Sequence, residues 1–108
     1  MKETFGEYIH KLRTDANMTL TKLAAALDID QSTLSKIENQ KRPVPAEILP
    51  KLATMFNLDI KELEREYYSE KIADIIFSHD EPVRVLKLAE EKAIYMRSKN
   101  LKQGRINF

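Results

Sequence analysis

No cysteine occurs in the 108 residues, which removes disulfides, thiolate zinc sites and cysteine nucleophiles together and fits a reducing cytoplasm. Only two glycines are present, too few for the phosphate-cradling loops that nucleotide-dependent catalysis needs. The two histidines, His10 and His79, have no carboxylate or second histidine at ligand spacing and read as surface residues, so no metal and no cofactor is expected. A dominant charge sign is missing as well: 18 Lys and Arg against 17 Asp and Glu leave a net charge of +1, so a nucleic-acid partner would have to be recognised by local charge. No stretch is long and apolar enough to span a bilayer, and the opening MKETFGEYIH lacks the apolar run of a signal peptide. No membrane partner is expected. With these classes gone an enzyme is not expected, and Glu90, Glu91 and Lys92 read as a solvated helix face.

What is present is a composition of 43% hydrophobic and 32% charged residues, suited to one small core under a charged surface. Phe5, Ile9, Leu12 and Ala16 recur at helical spacing and predict a first helix over residues 3 to 16, stopped near Asn17. Thr19 offers a capping hydroxyl ahead of Leu20, Leu23, Ala24 and Leu27 in a second helix. Asp28-Ile29-Asp30 makes a tight turn, and Asp30 is expected to cap a third helix from Gln31 to Asn39 whose inward positions are Leu34 and Ile37. Pro43 and Pro45 mark a loop; Pro50 predicts a kink or late start in the fourth helix, because it brings no N–H for the carbonyl four residues back. A longer fifth helix runs from Ile60 to about Phe77, a turn follows at residues 78 to 82, and a sixth helix carries two apolar stripes, wider than one contact requires. Lys99, Lys102, Gly104 and Arg105 suggest a basic, mobile tail, to which no DNA contact is assigned.

The segment TLTKLAAALDIDQSTLSKIEN places a short helix, a tight turn and a second short helix with a polar exposed face in succession, an arrangement that lets the second helix enter a major groove. With FGEYIHKLR and LPKLATMFNLDIKEL around it, the chain resembles the lambda-repressor, Cro and xenobiotic-response-element type of helix-turn-helix regulator over about residues 5 to 63. Together with the apolar periodicity beyond residue 63, the resemblance implies an all-α fold, a five-helix DNA-binding domain with an extended fifth helix and a sixth C-terminal helix. Its expected boundaries are 1–66 for DNA binding, 67–97 for a dimerising extension and 98–108 for the tail. It implies base contacts by Gln31, Ser32, Ser35 and Lys36, and phosphate contacts by Thr19, Thr21, Asn39, Lys41 and Arg42. Arg13 and Glu38 are implied as an ion pair tying the first helix to the third. Side-chain chemistry agrees for the bases, since Gln can pair with adenine, Lys with guanine and Ser with either. Two positions depart from the family pattern: Asp28 and Gln40 stand where glycine is usual.

The wide apolar band predicts a homodimer interface built from Tyr67, Ile72, Ile75, Ile76, Val85, Leu88 and Tyr95. Two recognition helices related by a two-fold axis read an inverted repeat on double-stranded DNA. The expectation is a bacterial or phage-type cytoplasmic transcription regulator, an autoregulating repressor or restriction-modification controller. A DNA-binding antitoxin, or a protein-interaction module acting through the C-terminal helices, is the alternative.

Overall fold

The computed structural model describes residues 2–102 and contains six α-helices: α1 (Phe5–Asp15), α2 (Leu20–Leu27), α3 (Gln31–Glu38), α4 (Leu49–Phe56), α5 (Ile60–Ile76) and α6 (Pro82–Lys102). No strand occurs among the described residues, and none of these helices is long and apolar enough to cross a membrane. A short 3₁₀ turn (Ala46–Ile48) leads into α4, whose first turn holds Pro50. The late start predicted from Pro50 is therefore what occurs, because proline is tolerated where the helix N–H groups have no partner in any case.

Capping explains where the helices begin. The Thr4 hydroxyl accepts from the Glu7 amide at 3.1 Å while the Glu7 carboxylate accepts from the Thr4 amide at 2.8 Å, a reciprocal box that closes the start of α1. Thr19 caps α2 in the same way, accepting from the Lys22 amide at 3.1 Å. Asp30 does not behave as its sequence position suggests: it occupies the cap site of α3, but its side chain makes no capping hydrogen bond.

Scarcity of glycine shows at the helix ends. Asn17, Asp28, Gln40 and Asn57 all take positive φ, between 53° and 60°, where glycine is the usual choice. After each, the next amide reaches back five residues: Met18 to Arg13, Ile29 to Ala24, Lys41 to Lys36 and Leu58 to Ala53, at 2.8–3.0 Å. These bonds satisfy helix carbonyls that would otherwise lack donors.

The chain divides into two units, residues 1–71 and 72–108, with the division inside α5. Past Glu66, α5 remains tied to α1 for another turn. Tyr67 packs edge-on against Phe5, with ring centroids 5.6 Å apart, and its hydroxyl donates to the Val44 carbonyl at 2.6 Å. Glu70 accepts from the Phe5 amide at 2.9 Å. The core of this first unit gathers Phe5, Ile9, Leu23, Leu27, Leu34, Ile37, Ile48 and Leu52, all essentially without solvent contact. α2 packs on α3 and α4, and α1 on α3. Gly6 marks the closest approach: a Cβ there would run into the Ile37 carbonyl oxygen.

The second unit contains the end of α5 and all of α6, which has no buried residue among those described. α6 continues through Lys102, past the Arg97 end predicted for it, so Ser98 to Lys102 are helical. Gly104 and Arg105 lie outside the described residues.

Candidate nucleic-acid interface

α2 and α3 are held at a defined crossing by side chains with no solvent contact. Leu23, Ala24 and Leu34 are buried between them, and Ile29 in the turn packs against the same core. The left-handed Asp28 supplies the sharp reversal that lets α3 start after only three intervening residues. The polar side of α3 then faces outward: Gln31, Ser32 and Lys36 are exposed and Ser35 is half-buried. Spaced three and four apart, they form one surface strip.

The electrostatics of that strip depend on a residue beneath it. Glu38 is the only carboxylate of α3, and its side chain is only 3% exposed. Arg13 Nε donates to Glu38 Oε2 at 2.8 Å and Arg13 Nη2 to Glu38 Oε1 at 3.0 Å, while Arg13 Nη1 donates to the Met18 carbonyl at 2.8 Å. His10 Nδ1 lies 2.8 Å from Glu38 Oε1. Burial pushes the Glu38 carboxyl up, but the hydrogen bonds from Arg13 and His10 outweigh it and hold it below the usual carboxylate range. The one negative charge of α3 is thus ionised, buried and neutralised, and the exposed strip carries only Lys36 as a charge.

His10 is not the plain surface residue its sequence position suggests. It is half-exposed, and its ring nitrogen completes the shell around a carboxylate 28 positions away. The available signal was its i,i+3 spacing from Arg13, which places both on one side of α1.

Around the strip, Thr19, Thr21, Asn39, Lys41 and Arg42 are all exposed. Thr19 spends a hydroxyl lone pair on its cap and keeps its proton. Asn39 Nδ2 donates one hydrogen to the Ser35 carbonyl at 2.8 Å. Thr21 differs from the others: its hydroxyl donates to Gln31 Oε1 at 2.6 Å. Among the described residues, neither Lys41 nor Arg42 has an ion-pair partner.

Of the residues predicted for a dimer interface, Ile72, Ile75, Leu88 and Tyr95 are exposed in the second unit, with Ile75 78% and Tyr95 64% open; Ile76 and Val85 are half-buried. Tyr67 must be corrected. At 4% exposure it belongs to the core of the first unit, its ring against Phe5 and its hydroxyl on Val44, and presents nothing to a partner. Phe77, Val83, Ile94 and Met96 are further exposed apolar side chains, at 61–80%, that the predicted interface did not include. An apolar groove in this unit is lined by Ile72, Val83, Leu86, Ala89 and Ala93, with Lys87 and Glu90 at its edge.

No grouping of three or more metal-ligating side chains occurs among the described residues. A family model described as helix-turn-helix matches residues 9–63. The HTH-type transcriptional regulator PrpR of Mycobacterium tuberculosis is 29% identical over 70 residues, covering 65% of this chain and 14% of that protein. The chain therefore spans about one seventh of that relative's length. No solved structure matches.

Proposed function

The chain belongs to the helix-turn-helix family, and on that premise we propose that it is a DNA-binding transcription regulator that binds an inverted-repeat operator as a homodimer and represses the promoter it covers. The observation that carries the reading is the strip on α3, polar, largely exposed and carrying Lys36 as its charge, with Glu38, the one carboxylate within the helix, buried against Arg13. In this reading Gln31, Ser32, Ser35 and Lys36 meet base edges in the major groove. Thr19, Asn39, Lys41 and Arg42 hold phosphates on either side, which fixes register without reading sequence.

A single short helix reads only a few base pairs. Two copies related by a two-fold axis double that, with recognition helices about 34 Å apart on one face of the duplex. The exposed Ile72, Ile75, Leu88 and Tyr95, with the half-buried Ile76 and Val85, supply the apolar surface for the pairing. A regulator of its own operon, or a controller of a restriction-modification operon, fits this organisation. The exposed groove beside Leu86 and Ala89 favours a second reading, a protein partner such as a toxin bound by the C-terminal helices.

Selection of bound sequences from a random duplex pool, at physiological salt and with wild type beside Lys36→Ala, tests the proposal. An enriched inverted repeat that degrades in the variant is the expected result. No enrichment, with an unrelated chain co-purifying, transfers the function to the C-terminal helices.

A further inference from the structure

Thr21 and Gln31 sit on different helices, yet the Thr21 hydroxyl donates to the Gln31 side-chain oxygen at 2.6 Å. A threonine hydroxyl has one proton, and a phosphate oxygen can only accept. While its proton is on Gln31, Thr21 has none for the DNA backbone, so a phosphate contact through its hydroxyl and the observed bond exclude each other.

We propose that Thr21 is a positioning residue for sequence recognition: it holds the Gln31 amide in one of its two flips and so sets the preference for adenine at the operator position that Gln31 reads. The proposal rests on Gln31 being a base contact, as argued above. A glutamine amide is nearly symmetric in shape but not in chemistry, and its terminal torsion is broad and roughly two-fold. Adenine offers N7 as acceptor and N6–H as donor, so it is matched only when the amide presents its N–H and its oxygen in the right order. An unrestrained glutamine at the exposed start of a helix samples both orders.

In the structure the amide oxygen, not the nitrogen, faces Thr21 and accepts its hydroxyl proton at 2.6 Å. That oxygen keeps a second lone pair for adenine N6–H, and among the described residues nothing takes the two amide hydrogens, one of which can go to N7. The spacing of the two backbones is fixed, because the helices that carry them pack through the buried Leu23, Ala24 and Leu34.

Operator selection with wild type, Gln31→Ala, Thr21→Val, Thr21→Ser and the double variant Thr21→Val/Gln31→Ala tests it. Thr21→Val is expected to relax the base preference by roughly three- to tenfold at the position that Gln31→Ala relaxes, and at no other. Thr21→Ser keeps the hydroxyl and the preference. In the Gln31→Ala background Thr21→Val changes nothing further, since the group it positions is gone. Melting temperatures of the exposed-site variants should match wild type, which removes folding as an explanation. Thr21→Val that weakens all duplexes alike, leaves the salt slope unchanged because a hydroxyl carries no charge, and adds fully to Gln31→Ala makes Thr21 a phosphate ligand and overturns the proposal. If Gln31→Ala alone leaves the selected sequence unaltered, the base-reading role fails first and the proposal falls with it.

Discussion

Lys36 and Lys41 carry the same charge at neighbouring places, yet in the proposed complex they do different work. Lys36 stands on the exposed strip of α3, whereas Lys41 follows the left-handed Gln40 beyond the helix end. Lys36→Ala should cost about 1–3 kcal/mol at one base pair, while Lys41→Ala should weaken all duplexes similarly and reduce the salt slope by about one. Binding titrations on matched and mutated operators over a salt series separate the two. Glu38 is a residue whose loss acts on the fold. Removing its carboxylate strands Arg13, which is itself largely buried, so Glu38→Ala should cost about 3–5 kcal/mol in urea unfolding. The sign of its pH dependence follows from a carboxyl held below its unfolded value. Its stabilisation is complete above the ordinary glutamate range, near pH 4.3, and disappears as pH falls through the lowered folded value. Unfolding titrations from pH 6 downward should show this loss in wild type and lack that component in Glu38→Gln.

At the scale of elements, the helix ends and the helix crossings set the constraints. Four helices stop on non-glycine residues in left-handed conformation, and Gln40 is the one without the short Asn or Asp side chain that tolerates it. Gln40 recovers part of the strain through a hydrogen bond from its amide to the Glu38 carbonyl at 2.6 Å. Gln40→Gly should still raise stability, by roughly 0.5–1 kcal/mol, visible as a higher melting temperature. The opposite holds at Gly6, where α1 meets the end of α3. Gly6→Ala forces a methyl group onto the Ile37 carbonyl and should destabilise by about 1–3 kcal/mol, because backbone cannot move aside as a flexible side chain can. Should Gly6→Ala melt with wild type, the close packing of α1 on α3 is not what holds that glycine in place.

For the whole molecule, the contrast is between a first unit with a closed core and a second with exposed apolar side chains on α5 and α6. An apolar surface of this kind lowers its free energy by being covered, and in the proposed dimer a second copy covers it and also serves two-fold recognition of DNA. Leu88→Glu, on an exposed position of α6, should shift the protein to monomer in sedimentation experiments and reduce operator affinity far more than half-site affinity. A dimer unaffected by this change would place the interface elsewhere.

The amino-acid pattern alone determined the helical fold, the helix-turn-helix and the late start at Pro50, since each depends on spacing within a few residues and on the chemistry of proline, threonine and the apolar face. The exposure of Gln31, Ser32 and Lys36 was legible for the same reason, being the polar complement of Leu34 and Ile37. Four matters were decided only by the tertiary structure. Tyr67 reads as an apolar position on a long helix whether its neighbour is Phe5 or another molecule; its ring went to the core. His10 reads as a surface residue until α3 brings Glu38 to it, and Asp30 reads as a cap whose side chain then makes no bond. Thr21 and Gln31 are ten residues apart, and only the crossing of α2 and α3 turns a hydroxyl and an amide into a hydrogen-bonded pair. Local periodicity specifies which face of a helix is apolar; which partner covers that face, and which polar atoms meet across a crossing, follow from packing in three dimensions.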